Sequence, residues 1–335
     1  MIRLPPPVPA EAVLDLLIPG ADVIVPLANG EPTSILDAIE AAADQLEGVR
    51  IHQMHALRDR PYLHGVYGDR LRHVSYFLSH ITRPAYWEGT IDLVPNHFSE
   101  VPTLLRRSTR CTVVVAACSP PDQHGYFSLG TNADYVVDLI GRVPIFLEAT
   151  PHMPRTRGAN LVHHSQVEGW CESDRPLIEV PRSEPNDVDR AIASLVAERI
   201  PDRASVQIGI GSIASAVLDS LGGHRDLGIH TELLHDGMVD LVEAGVVTGA
   251  YKEVRRNRVV TTFCLGTRRL YDWLEDNAVV ELLGVDFVND PRVIARMRRF
   301  NSVNATTEVD LMGQCASETI GGRYWSSSGG QADFA

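Results

Sequence analysis

With 335 residues, 44% of them hydrophobic and 22% charged, the chain is long enough for a folded protein of about two domains. A formal net charge of -13 and a single lysine, Lys252, exclude a basic nucleic-acid-binding face, and no apolar run reaches the ~20 residues that a bilayer span needs. Five scattered cysteines without a C-x-x-C pair (Cys111, Cys118, Cys171, Cys264, Cys315) read as small reduced side chains, and the N-terminus lacks the basic-then-apolar pattern of a secretory signal, so a soluble cytoplasmic protein is expected.

Residues 21–26, ADVIVP, read as a short strand. A helix follows from about Ser34, with Leu36, Ile39, Ala43 and Leu46 on one face at three- and four-residue spacing. Gly48 closes it, and residues 49–52 resume as strand. The same rhythm recurs at 74–78, 91–95, 111–118 and 142–149. Continuous apolar runs such as 112–116 suit strands buried on both faces, so the first half reads as an α/β domain with a mostly parallel sheet. The stretch 118–130, CSPPDQHGYFSLG, reads as a loop at a strand end, its His124 either a turn support or a catalytic candidate. A second loop, 151–158, offers Arg155 and Arg157 either as receivers of a carboxylate or phosphate or as solvated surface. His163 and His164 lack further ligands at metal spacing, and no metal site is expected.

A boundary falls within 173–186, rich in proline and charge, giving an N-terminal domain over 1–180 and a C-terminal domain over 181–335. Asn186 caps a helix with Val188, Ile192, Leu195, Val196 and Ile200 along one side, read as its buried face. A strand at 205–208 enters the most informative stretch, QIGIGSIASAVLDSLGGHRDLGIHTELLHDG at 207–237. It contains a Gly-x-Gly turn, a helix, and a second short strand that gives out at Glu232. The carboxyl ends of strands are where ligands collect in an open α/β sheet. A glycine turn opening a helix presents backbone N–H groups at that same edge. Turn and carboxylate together make a minimum kit for acyl transfer by a carboxylate nucleophile. The same letters, Gly209 to Ala214, also fit G-x-G-x-x-A, with Glu232 near the distance of a ribose-binding acid. Glycines for tight packing beside an exposed glutamate are a third reading, and spacing leaves all three open. Beyond it come a helix from Asp236 with Met238, Leu241 and Val242 inward, a strand at 259–266, a helix at 267–277, and the stretch 304–310.

The strings SPPDQHGYFSLG, MPRTRG, QIGIGSIASAV, DLGIHTELLHDGMVDLVEAG, GTRRLYDW, VDFVNDP, NATTEVDLMGQ and SSSGGQADF, in this order, resemble the acetyl-CoA hydrolase/transferase family. The likeness runs from GEP at 30–32 to Phe334 and is strongest to the 4-hydroxybutyrate and butyrate:acetate CoA-transferase branch. It implies two CoA-transferase-type open α/β domains with mostly parallel sheets and the active site between them. It also implies Glu232 as nucleophile, Gly209 and Gly211 in the turn near the site, and Asn304 and Gly329-Gly330 where the reacting acyl group is held. This sets the dinucleotide reading aside. No cofactor or metal is implied, only CoA as substrate with short-chain carboxylic acids; neither nucleic acid nor membrane is a partner, and a homodimer is suggested. Family members continue past GGQxDF, so the second domain is expected to be incomplete, its end frayed and the chain weakly active.

Carboxylate chemistry suits such an activity. Attack on an acyl-CoA gives a mixed anhydride and then a glutamyl-CoA thioester, both of which retain the transfer potential that a serine ester loses. A glutamate of ordinary pKa, ~4.3, is already ionised at neutral pH and needs no general base. Acyl-CoA hydrolysis at the same site is the alternative, and an inactive CoA-binding protein is another.

Overall fold

The structure, a computed structural model, describes residues 4–335. The first sheet is built from β1 (Asp22–Ile24), β2 (Val49–Gln53), β3 (Leu71–Ser75), β4 (Asp92–Leu93), β5 (Val113–Cys118), β7 (Ile145–Ala149) and β9 (Gly169–Glu172). Their order is β4-β3-β2-β1-β5-β7-β9, with every neighbouring pair parallel. A small antiparallel ribbon of β6 (Tyr126–Ser128) and β8 (Leu161–His163) stands off it. The stretch expected to be a plain loop at 118–130 therefore contains a strand. Strand β5 is buried at all six positions, as its uninterrupted Val-Val-Val-Ala-Ala-Cys run requires.

Helix α1 (Thr33–Ala41) begins after Pro32, which has no capping side chain of its own. Glu148 of β7 does that work from another element: its Oε2 accepts from the Ser34 and Ile35 amides at 2.7 and 3.2 Å. Behind the helix, buried Arg60 is held by Glu31, Asp37 and Glu40 at 3.0–3.1 Å. Strand β3 ends earlier than the run at 74–78 suggests. Tyr76 to Leu78 leave the sheet, and α2 (Thr82–Glu88) follows; α3 (Val101–Ser108) precedes β5.

Helix α4 (Asp187–Ala197) leads into the second sheet: β10 (Ser205–Ile208), α5 (Ser212–Ser220), β11 (Gly228–Leu234), α6 (Asp236–Glu243), β12 (Val259–Cys264), α7 (Arg268–Leu274), β13 (Val280–Leu282), the short α8 (Val285–Val288) and α9 (Pro291–Ile294), and β14 (Phe300–Val303). The strand order is β13-β12-β11-β10-β14, again parallel throughout. Helix α4 departs in part from its sequence reading: Val196 packs on the core and Ile200 beyond the helix is buried, as read, but the rest of the stripe is not. Val188, Ile192 and Leu195 are exposed, and Asp189, Ala193 and Ala197 face inward against α5. Two alanines let the helices approach closely, and that outweighs the larger apolar stripe beside them. Beyond β14 lie two hairpins, β15 (Glu308–Val309) with β16 (Cys315–Ala316), and β17 (Thr319–Ile320) with β18 (Arg323–Tyr324).

The C-terminal stretch is tied down rather than frayed. The Leu78 amide donates to the Ser326 carbonyl and the Phe98 amide to that of Gly329, at 3.1 and 2.9 Å. Phe334 is buried against Phe300 with ring centroids 6.0 Å apart. One core cluster joins residues of both sheets, among them Ile24 and Val114 of the first and Leu233 and Phe263 of the second. Among the described residues no helix is long and apolar enough to cross a membrane.

Candidate active site

In each sheet the strand order reverses once: between β1 and β5 in the first, and between β10 and β14 in the second. A crevice opens outside the carboxyl ends of the strands at such switch points. Here the β1 side of one switch point and the β10 side of the other face a single cavity. A cavity of about 180 Å³ takes Leu27 from beyond β1, Met54 and His55 from beyond β2, and Phe77 from beyond β3. Across from them stand Gly209 and Ile210 after β10, Glu232 on β11, and Phe263 and Leu265 at β12.

Glu232 is the partly buried residue of an otherwise buried strand, and its carboxylate points at the far side of the cavity. Its Oε2 accepts from Asn289 Nδ2 at 2.7 Å. The same Nδ2 donates to Asp333 Oδ2 at 3.1 Å. Only the NH2 side of an amide can serve two carboxylates, so the orientation of Asn289 is fixed by its partners. Asp333 is in turn clamped to Ser99 of the first half, accepting from its amide at 3.0 Å and its hydroxyl at 2.7 Å. Glycine is required at 330, because a Cβ there would fall on Glu232 Oε2 and lie 2.5 Å from Asn289 Nδ2. At Gly329 the backbone takes a φ of 53°, and a Cβ would meet the Phe77 ring at 2.9 Å.

Burial among apolar walls pushes the Glu232 carboxyl up to about 7; Asn289 pulls it down and the Asp333 charge pushes it further up. The ordinary glutamate pKa assumed from the sequence is therefore corrected: at neutral pH only about half of this group is ionised. His55 is held down to about 4 chiefly by burial, with the Arg83 guanidinium adding to it, so it stands neutral on the wall.

Of the residues marked in the sequence, Glu232, Gly209 and Gly329 line the cavity and Gly330 lies against the carboxylate. Gly211, with a φ of 114°, opens α5 one residue beyond the cavity, in a neighbouring recess with Arg182 and His235. Asn304 is exposed and outside it. Its Nδ2 donates to Ser302 Oγ at 2.6 Å, and Ser302 donates to Gln207 Oε1 at 2.7 Å, so it reaches the lining only through Gln207. The amide that touches Glu232 belongs to Asn289 instead. Asn289 and Asp333 sit inside the strings VDFVNDP and SSSGGQADF, but nothing in the letters says that residues 57 and 101 positions beyond Glu232 would gather around it. Arg155 braces the stretch 118–130 from the loop at 151–158, donating to Ser119 Oγ and to the Pro120 and Tyr126 carbonyls and pairing with Asp122 at 3.1 Å. Exposed Arg157 faces Asp276 at 3.5 Å, and exposed His124 lies beside Gln123. Four cysteines are buried and Cys315 is exposed, all five free.

Two parallel sheets that share one carboxylate-bearing cavity beyond the carboxyl ends of their strands are the arrangement of an α/β enzyme. The chain belongs to the acetyl-CoA hydrolase/transferase family: the family's N-terminal domain matches residues 9–180 and its C-terminal domain residues 266–335. It is 39% identical to the succinyl-CoA:cyclohexane-1-carboxylate CoA transferase of Geobacter metallireducens, over 98% of this chain and 74% of that protein. To the 4-hydroxybutyrate coenzyme A transferase of Clostridium kluyveri it is 36% identical, over 98% of this chain and 77% of that protein. The crystal structure of RipA from Yersinia pestis superimposes with a TM-score of 0.91 at 32% identity, covering 98% of this chain and 77% of that one.

Proposed function

We propose that this protein moves CoA between a short-chain acyl-CoA and a carboxylic acid through Glu232. The observation that carries the reading is the Glu232 carboxylate lying against Gly330, with the Asn289 amide 2.7 Å from the oxygen on which charge would develop. The Glu232 carboxylate attacks the thioester carbonyl, the C–S bond breaks, and CoA leaves as thiolate from a mixed anhydride. The thiolate then attacks the glutamyl carbonyl and expels the first acid as carboxylate, leaving a glutamyl-CoA thioester. The acceptor acid reverses both steps, and Glu232 is returned as carboxylate with no net change in protons. In the steps that attack the glutamyl carbonyl the tetrahedral intermediate places its charge on a Glu232 oxygen, and there Asn289 supplies a donor already oriented, worth about 3 kcal/mol of barrier.

The acyl pocket supports a short apolar chain. Its walls are Leu27, Met54, Phe77, Phe98, Leu233 and Phe263, with no lysine or arginine to meet a second carboxylate. The same walls keep water from the anhydride, which favours transfer over hydrolysis. CoA enters as substrate, and the chemistry calls on no further cofactor. The free thiols support a cytoplasmic setting and the resemblance a homodimer, which sedimentation would check.

Butyryl-CoA incubated with acetate should yield acetyl-CoA, and without acetate should leave a covalent CoA adduct on the peptide carrying Glu232. CoA release that ignores added acetate would make the enzyme a hydrolase instead. Label found only on a cysteine would remove Glu232 from the chemistry.

A further inference from the structure

The reaction cavity is walled by residues that are buried or half-buried, with one exception. Ile210, between Gly209 and Gly211, is 60% exposed although it lines the same space as Glu232. It therefore stands at the mouth. The backbone on either side of it has room: a Cβ added at Gly209 or at Gly211 would meet no heavy atom within 4 Å, and Gly211 holds a φ of 114°. Two glycines flanking one bulky apolar residue make a short hinged flap.

Behind Ile210 lies a second space. A recess of about 150 Å³ is bounded by Arg182, Gly211, Ser215, His235 and Asp236, and Ile210 and Leu265 line both it and the reaction cavity. These two side chains are the partition. Leu265, just beyond β12, is buried in its place, and Ile210 is the part that can move. The two spaces differ in chemistry. The cavity walls are mostly apolar, whereas Arg182 Nε and His235 Nε2 in the recess are buried without a hydrogen-bond partner among the described residues. Buried nitrogens of this kind take water as their partner. The recess thus offers water a seat one side chain away from the Glu232 carboxylate.

Such a neighbour matters because the intermediates on Glu232 can be hydrolysed. Water adding to the carbonyl of the glutamyl-CoA thioester breaks the C–S bond. CoA leaves as thiol with one of the water's protons, Glu232 returns as carboxylate, and the second proton passes to solvent. CoA is then lost as free thiol instead of being handed to the acceptor acid.

Resting on the CoA-transfer reading above, we propose that Ile210 decides between a carboxylate and water as the acceptor. Seated against Leu265, it seals the cavity from the recess while the anhydride and the thioester stand, and its glycine hinges let it swing out to exchange one acid for the next.

Butyryl-CoA incubated with acetate reports both outcomes at once, as acetyl-CoA formed and as free thiol released. Ile210→Ala should raise the ratio of thiol release to acetyl-CoA formation about 10-fold, and Ile210→Val should restore most of the wild-type ratio. Because the side chain is exposed, Tm should not move in either variant. A wild-type ratio in Ile210→Ala, in a protein that transfers CoA, would overturn the proposal. A second measurement needs no turnover. Carbodiimide labelling of Glu232 near neutral pH, followed by mass spectrometry on its peptide, should quicken severalfold in Ile210→Ala and slow severalfold in Ile210→Trp. Equal labelling in wild type and both variants would overturn the gate, even in a protein that only hydrolyses acyl-CoA. Labelling that follows the size of the side chain at 210, in a protein whose CoA release ignores acetate, would uphold the gate and defeat the transfer reading.

Discussion

Two carboxylates sharing one amide set the behaviour of Glu232. Only its ionised form can attack a thioester, so kcat/KM should rise with pH and level off above about 7, the value to which burial pushes the group. The neighbours act with opposite signs. Removing the Asn289 donor in Asn289→Ala should move that limb to higher pH and cost about 100-fold in kcat, since the same N–H would meet the oxyanion. Removing the Asp333 charge in Asp333→Asn should move the limb to lower pH. Limbs that shift in the same direction in a pH–rate series would contradict this assignment. Stability follows the same carboxyl. Its folded pKa lies above the unfolded one, so its contribution is fully present below about pH 4.5 and is lost as pH rises through about 7. Above that, keeping the charge partly buried costs on the order of 2 kcal/mol once its partial exposure is allowed for. Glu232→Gln should therefore abolish transfer while raising Tm at pH 8, and leave Tm unchanged near pH 4; an unaltered Tm at pH 8 would mean that the carboxyl is not perturbed. Glu232 is legible in the sequence because a strand and a motif coincide there, although β11 does not give out at Glu232 but runs on to Leu234. Asn289 and Asp333 are single polar letters in loops, and only the tertiary fold gives them a common partner.

At the level of elements, periodicity located most helices and strands, because each buries a face and burial imposes the period. It failed where size and shape mattered more than hydrophobicity. In α4 the stripe Val188, Ile192, Leu195 and the stripe Asp189, Ala193, Ala197 have the same period and differ by about one residue's rotation. The second is chosen because its alanines admit α5 and because Asp189 turns back to the Asn186 amide at 3.0 Å in a capping box. The consequence can be measured. Leu195→Glu should change stability by less than about 0.5 kcal/mol, as at an exposed position. Ala193→Leu, at a fully buried position, should cost roughly 1–3 kcal/mol by overpacking. Denaturant midpoints giving the reverse order would restore the face read from the sequence. The α1 cap was beyond sequence reading for a related reason: Glu148 lies 114 residues from the Ser34 amide that it accepts from.

On the scale of the whole molecule, each half lends a segment to the other. The stretch around Ser326 to Asp333 lies on the loops of the first sheet, and in exchange residues 131–134 lie along β12 of the second. The Cys264 amide donates to the Thr131 carbonyl, and the Ala133 and Asp134 amides donate to that of Thr262, at 2.8–3.0 Å. The Val285 amide donates to the Asp134 carbonyl at 2.9 Å. Asp134 is the knot. Its buried carboxylate accepts from Asn132 Nδ2 and the Val136 amide, both at 2.9 Å, and from Leu27, which lines the cavity. Burial pushes that carboxyl up to about 6 even so. A chain of this length ordinarily unfolds domain by domain, but crossed segments and a core shared by both sheets couple the halves. Asp134→Ala leaves buried N–H donors without an acceptor and should cost about 3 kcal/mol. If the halves are coupled, hydrogen exchange at β1, β5, β10 and β11 should accelerate together in that variant, and circular dichroism and tryptophan fluorescence should report one common transition at a lower temperature. Protection lost in the second sheet while β1 and β5 keep theirs would show that the strap joins two domains that fold independently.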